Sequence, residues 1–496
     1  MYPNNRWLVL AIVTSTLFLI VIDMTVLYTA LPHIMQDLDG TAADKLWIIN
    51  AYPLVVAGLL PGAGILSDRL GHKRLFISGL PMFALASWCA AYSPTAGLLI
   101  ASRVFLAVGA AMMMPATLAI VRHIFSDERE RALAIGIWAA VASGAAALGP
   151  VLGGVLLEYF WWGSVFLINV PVAMVVLPFA CWLIPHHDGN RQRTFDLVGS
   201  LQIMFGLVGV VFALKELSHI NASLFSAAAA AIIGALFLTL FVRRQQRAVQ
   251  PMIDFSLFRN GGFSGGVVIA IVSGVALTGV ELVLTQRLQL VLNMSPLMSA
   301  LIMLPLPVAA VLAAPLAGVL LPRYGERSVI MSSFAISLLG IISMLVLFNR
   351  GVAWQMLAMF VTGGGFGAMF TAASTAIMLN TPEEKAGMVA AIEDVSWELG
   401  GVLGVTLLGG IMTAVYSYGL TLPDGLVNGE AAYDSIDEAL RIAAGMGSER
   451  AHWLIVLAQA AFDRAYLAVL GSAAVLLFIT FLVLRRVLRP AHCSGQ

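Results

Sequence analysis

The sequence predicts an all-α integral membrane protein with fourteen transmembrane helices, arranged as two six-helix bundles plus an inserted helix pair. Three observations carry that expectation. Hydrophobic residues fill 60% of the 496 positions and charged residues only 11%, about half the charge of an ordinary soluble domain. The apolar residues are gathered into long runs without alternation, and lipid forces such runs to be helical because the backbone finds no outside partner there. One motif also recurs. The stretch Gly64 to Arg74 (GILSDRLGHKR) has a weaker copy 254 positions later, with Gly64 falling on Gly318, Leu66 on Leu320, Arg69 on Arg323 and Gly71 on Gly325.

Taken in order, the runs cover approximately 7–31, 46–66, 75–93, 96–121, 132–157, 163–184, 196–216, 222–242, 262–284, 297–320, 328–348, 353–379, 386–416 and 463–484. Each is close to the roughly 20 residues that a bilayer crossing needs. The first is too long for a signal-peptide core and lacks a small-residue cleavage pattern after it, so it reads as a retained span. Of the 27 lysines and arginines, 19 fall on segments that are cytoplasmic if the N-terminus is, seven fall on outer segments, and Arg103 lies inside span 4. The positive-inside rule then puts both termini in the cytoplasm. The same offset carries Gly109 onto Gly363 and Arg131-Ala132 onto Lys385-Ala386, so spans 2 and 3 correspond to 10 and 11. Duplicated halves follow, an N-terminal bundle over 1–190 and a C-terminal bundle over 259–496, with spans 7 and 8 inserted over 191–258. The outer loop 417–462 is the longest. Its middle has a helical rhythm with charges on one side, which predicts a folded hairpin.

Composition also excludes function classes. A net charge of zero provides no field for nucleic acid. Cys89, Cys181 and Cys493 are scattered, so neither a disulfide framework nor a metal cluster is expected. No span holds a nucleotide loop, a zinc-protease helix or a Ser/His dyad, which argues against an enzyme. No cofactor and no metal are expected, and the partners are the bilayer and small molecules. The chain is expected to act as a monomer.

Two motifs read as moving parts. In the hinge formed by Gly64, Asp68, Arg69, Gly71 and Arg74, the Asp68 carboxylate is placed to bond a neighbouring helix N-terminus and pair with a base. The start of span 13, Thr381 to Glu384, has the capping pattern to receive it. For Lys73 and Arg74 the plainer reading is a topological anchor. In span 5, Pro150 deletes a helical hydrogen bond, while Gly149, Gly153 and Gly154 permit close approach and bending.

Charged groups in mid-span are costly unless paired, neutralised or wet, so each is a functional candidate. Asp23 in span 1, Arg103 in span 4, Glu281 in span 9, and Glu393, Asp394 and Glu398 in span 13 form this set. Asp394 and Glu398 are four apart and share a helical face. A carboxylate in oily surroundings can hold a proton or, when ionised, attract a cation. Alternating between the two makes an exchanger, and Asp23 is assigned to that work with a structural pairing to Arg103 as the alternative. Tyr28, Tyr52, Trp138 and Trp397 can offer ring faces to an organic cation, and Asn50 is expected to line the same path. The expected substrate site lies near mid-membrane between spans 1, 2, 4 and 5 of one half and 9, 10 and 13 of the other.

Together these motifs resemble the major facilitator superfamily and, within it, the fourteen-helix drug:proton antiporters. Gly64–Arg74 is similar to the superfamily's loop between helices 2 and 3, and Gly149-Pro150 with Gly153-Gly154 to the helix 5 motif of its antiport exporters. Asp23–Pro32 is similar to the helix 1 motif of the fourteen-helix branch, and Phe166–Pro171 to its helix 6 motif. Two departures stand out. Leu106 and Ala107 replace the usual Gln-Gly after Arg103, and Gly163-Ser164 replaces the usual Arg-Trp before helix 6. The resemblance is to exporters of methyl viologen and quaternary ammonium biocides. It implies proton-coupled export of lipophilic mono- and dications, cationic dyes and biguanides included, by alternating access in the bacterial cytoplasmic (inner) membrane. The alternative is export of another cargo, such as a siderophore, a tetracycline-like compound or an anionic amphiphile. In such exporters an acidic pair is followed four residues later by another carboxylate, and that spacing points to Asp394 and Glu398.

Overall fold

The computed structural model describes residues 5–125, 127–186, 189, 196–217, 223–249, 251–379, 386–421, 429–446 and 448–487. Helices are numbered here by the span they form. The first half holds α1 Asn5–Asp37, α2 Ala42–Leu70, α3 His72–Ala91, α4 Ala96–Ile124, α5 Glu128–Tyr159 and α6 Asn169–Leu183. The inserted pair is α7 Leu197–Glu216 and α8 Leu224–Arg247. The second half holds α9 Gly261–Gln286, α10 in two pieces (Pro296–Met303 and Pro305–Tyr324), α11 Glu326–Val346 and α12 Val352–Leu379. It ends with α13, built from Ala386–Leu403, a wide turn Gly404–Leu408 and Gly409–Gly419, and with α14 Ser448–Val487. Thirteen of these meet the length and apolarity of a membrane crossing, and the apolar stretch Gly144–Tyr159 of α5 supplies a shorter fourteenth.

The internal repeat is visible in local geometry. Gly71 ends α2 at φ 92°, and its counterpart Gly325 ends α10 at φ 78°. Both glycines occupy backbone space that side chains disfavour, so the same sharp reversal is made twice. Packing repeats as well. In the first half α1 packs on α5, α2 on α4, and α3 on α4 and α6; in the second α9 packs on α13, α10 on α12, and α11 on α12 and α14. Each half has its own apolar core. The halves touch through α2 against α13 and α5 against α10, which are again equivalent pairs. The α7–α8 hairpin leans on α2 and is clasped at its base by Arg244, whose Nε donates to both oxygens of Asp196 at 2.9 and 2.8 Å. Partial burial pushes the Asp196 carboxyl up, but Arg244 and the Gly199 amide outweigh it and hold the group below the usual carboxylate range.

Two elements depart from the sequence expectation. Helix α14 begins at Ser448 rather than near 463, so the second part of the long loop is a helical extension, and at 1.5 Å per residue it adds roughly 20 Å. Ahead of it, Ser435 caps a short helix, Ile436–Ala444, that packs on α14. Span 10 is also broken at Leu304, where Pro305 begins a new helix because it has no N–H to continue the old one.

The end of the molecule carrying Arg6, Arg69 and Arg323 is called the basic end below, and the opposite one the far end. At the far end α5 meets α10 at Gly154, where an added Cβ would stand 2.6 Å from the Leu297 Cα. Gly154→Ala is therefore expected to push the bundles apart there at a cost of about 1–3 kcal/mol. Faster alkylation of a cysteine placed at Ser299, buried near this contact, checks it, and an unchanged rate would count against the contact as a seal.

Candidate functional site

Asp23 is fully buried inside the first bundle. Its Oδ2 accepts from Arg103 Nη1 at 2.7 Å, and its Oδ1 from Asn169 Nδ2 at 3.0 Å. Asn169 also reaches Ser87 Oγ at 3.0 Å, and Arg103 Nε donates to the Ile48 carbonyl at 3.3 Å. The guanidinium lies 4.7 Å above the centre of the Tyr52 ring. Five helices, α1, α2, α3, α4 and α6, are thus tied by one polar cluster, and a buried pair of this kind is supported by the further hydrogen bonds to Asn169 and to the Ile48 carbonyl. Two expectations change with this arrangement. Asp23 is fully buried and paired with Arg103, and Tyr52, also fully buried, gives its ring face to Arg103.

The acids of α13 sit differently. Glu393 is buried and reaches Ser374 on α12. Asp394 has an exposed side chain and lies within electrostatic reach of Glu393. Glu398, one turn further, lies within electrostatic reach of Asp394 and of Arg103 across the interface. Beside them the Trp397 ring stacks on Phe370 of α12, with centroids 4.8 Å apart and an interplanar angle of 32°, and the Trp397 Nε1 is buried without a partner. Two carboxylates next to a pair of rings make a surface that suits a flat or quaternary cation, which brings charge but no hydrogen-bond donors. Phe370 escaped the sequence reading because one phenylalanine among 25 carries no signal of its own.

Of the other candidates, Tyr28 and Asn50 lie at the seam. Tyr28 on α1 is within electrostatic reach of both Glu281 and Glu398, and it shares a cavity with Glu281. Asn50 Nδ2 donates to Thr406 Oγ1 at 3.1 Å across the bundles. The Trp138 indole is half-buried and donates to Thr117 Oγ1 at 3.1 Å within the first bundle. In α5, a Cβ at Gly149 would fall 1.8 Å from Thr25 Oγ1, and one at Gly153 2.6 Å from Val26 Cγ2. These glycines set the approach of α5 to α1, while Gly154 sets that to α10. Among the basic-end residues, Gly64 has open space around it, Arg69 is exposed and Arg74 lies near His186 at 3.4 Å. Lys73 donates to the carbonyls of Cys181 and Ile184 at 2.7 and 2.6 Å, capping α6. The Asp68 side chain and the Thr381–Glu384 cap lie outside the described residues. No three metal-ligating side chains converge among the described residues.

The far end carries a contact that sequence reading missed. Lys45 Nζ, at the start of α2, bonds Asp437 Oδ2 of the short loop helix and Gln286 Oε1 of α9, the latter at 2.9 Å, and all three side chains are buried. Gln289 Nε2 donates to the Thr29 carbonyl at 3.1 Å, and Arg441 to Asp39 at 2.9 Å. Each of these joins the second half to the first.

Comparison with known proteins agrees with this architecture. The chain is 38% identical over 478 residues to the methyl viologen resistance protein SmvA of Salmonella typhimurium, covering 96% of this chain and 97% of that one. It is 37% identical over 485 residues to the multidrug efflux pump LfrA of Mycolicibacterium smegmatis, covering 95% and 96%. Among solved structures, an inward-facing, unoccupied bacterial homologue of the human lysosomal transporter Spinster superposes with a TM-score of 0.65 at 17% identity, over 98% of each chain; at that identity the likeness concerns the fold. Residues 13–405 match the Major Facilitator Superfamily. With two equivalent bundles, a polar seam between them and relatives of this length, the chain belongs to the Major Facilitator Superfamily and is a multi-pass membrane transporter of its drug-efflux branch.

Proposed function

We propose that the protein is a proton-coupled antiporter that exports lipophilic mono- and dications, with methyl viologen, quaternary ammonium biocides, cationic dyes and biguanides as the substrate class. It works from the bacterial cytoplasmic membrane as a monomer with both termini, and so the basic end, in the cytoplasm. The observation that carries the reading is the solvent-open Asp394 beside Glu398 and the Trp397–Phe370 ring pair, in the seam between two bundles. Alternating access supplies the rest. A cation entering from the basic end meets the α13 acids and displaces a proton; after the bundles rock, a proton entering from the far end displaces the cation. The name of the SmvA relative supports methyl viologen as a probe.

The test is proton release on adding methyl viologen to the purified full-length protein. Wild type is expected to release protons. Asp394→Asn should abolish methyl viologen binding and release together, and Glu398→Gln should weaken both. Release that is unchanged in both variants would remove these acids from the mechanism.

A further inference from the structure

Neither Asp394 nor Glu398 is among the residues that line the cavity beside Glu281. Glu281 lies toward the far end of α9, and its side chain faces that cavity, of about 30 Å³, between the bundles. The walls come from both halves: Thr25, Tyr28 and Pro150 on one side, Thr285, Met303 and Pro307 on the other. That is room for about one or two water molecules, and roughly a tenth of the smallest pockets that hold drug-sized ligands. Among the described residues no base pairs with Glu281 and no side chain donates to its carboxylate. The nearby Thr285 hydroxyl instead donates to the Glu281 main-chain carbonyl at 2.8 Å. A lone carboxylate in such a narrow, largely apolar cavity favours a proton or a small cation beside it, since no side chain among the described residues offsets its charge.

We propose that Glu281 is a coupling site for protons alone, separate from the carboxylates that meet the organic cation. This rests on the proton-coupled reading above and refines it. Because the walls belong to opposite bundles, rocking that parts α1 and α5 from α9 and α10 opens the cavity, and the contacts of Gly154 with Leu297 and of Gln289 with Thr29 close it. Tyr28, in reach of Glu281 and Glu398 alike, is the side chain that links the two sites. The proton held at Glu281 is then coupled to the drug through the change of conformation, beside the exchange at the α13 acids.

The experiment uses the full-length protein in liposomes with methyl viologen as probe. Three quantities are read: equilibrium binding, gradient-free exchange of labelled for unlabelled methyl viologen, and uptake driven by a proton gradient or, separately, by a sodium gradient. Glu281→Gln is expected to keep binding and exchange and to lose proton-driven uptake. Glu281→Asp, which keeps the acid, should retain uptake. Retained binding is itself proof of folding in the glutamine variant. If wild type is proton-driven and Glu281→Gln remains so, the inference fails while the coupled reading stands. Loss of binding in Glu281→Gln with recovery in Glu281→Asp would make Glu281 part of the organic-cation site and overturn the separation. Loss of binding in both variants would overturn it likewise. Wild-type uptake driven by sodium and not by protons would overturn both the inference and the coupled reading.

Discussion

Truncating Asp437 to alanine is expected to open the far end. In the wild type its carboxylate compensates Lys45 in a buried contact between the halves, and a pair in that setting is close to neutral against water as long as both partners are present. Such a contact can close and open reversibly, because each group is rehydrated when the bundles part. Removing one partner is different. Lys45 would be left as an unpaired charge in the closed form only, at about 3–5 kcal/mol, a shift of roughly 10²–10⁴-fold in the balance of conformers. Spin labels on Gln36 and Leu292, both exposed, should report a longer distance in Asp437→Ala. The double variant Lys45→Ala with Asp437→Ala should return most of the population to the closed form, since it leaves no orphan charge. If the distance distribution of Asp437→Ala matches wild type, the pair is not a latch.

The second large effect is expected at Asp23. Asp23→Ala strips Arg103 of its only carboxylate partner among the described residues and leaves Asn169 with Ser87 Oγ alone of its two acceptors, a loss of about 3–5 kcal/mol for a buried pair. A clearly lower melting temperature in detergent measures it, and an unchanged one would mean that water or another acid takes over. The functional consequence follows from electrostatics. With Asp23→Asn, Arg103 becomes an uncompensated positive charge within reach of Glu398, so cation affinity should fall although Asp23 touches no cation. Arg103→Gln added to Asp23→Asn should restore that affinity. If Asp23 were a direct ligand of the substrate, the double variant would stay weak.

Much of this was legible in the chain because lipid narrows the choices. Backbone groups in a bilayer must be satisfied within the segment, so the apolar runs had to be helices. The Gly71 and Gly325 pair shows why the repeat could be read: the same positive φ is needed at both turns, and glycine meets it without strain. The start of α14 was misjudged for the converse reason. Its extension from Ser448 lies beyond the apolar run, where helix and loop both satisfy the backbone with water and packing decides.

The site divides along the same line. A mid-span charge can be flagged from position alone, because burial there is costly whatever the fold; of the six flagged groups, Asp23 and Arg103 pair inside the first bundle, Glu281 lines a cavity between the bundles and Glu398 is within reach of Arg103. Their roles could not be separated in that way. Asp23 and Asp394 are both aspartates within apolar helices, yet one is sealed against Arg103 and the other faces open space. Tyr52 and Tyr28 likewise differ only in what stands over them, Arg103 for the first and a small cavity for the second.

What the sequence alone determined, then, is the number of helices, their duplication and the identity of the costly groups, since each follows from local chemistry meeting lipid. The pairing of Lys45 with Asp437 across 392 positions, the seat of Phe370 against Trp397 and the division between closed and open carboxylates were decided by tertiary structure. These depend on which helix faces meet, and that is fixed by the packing of fourteen helices together rather than by any one of them.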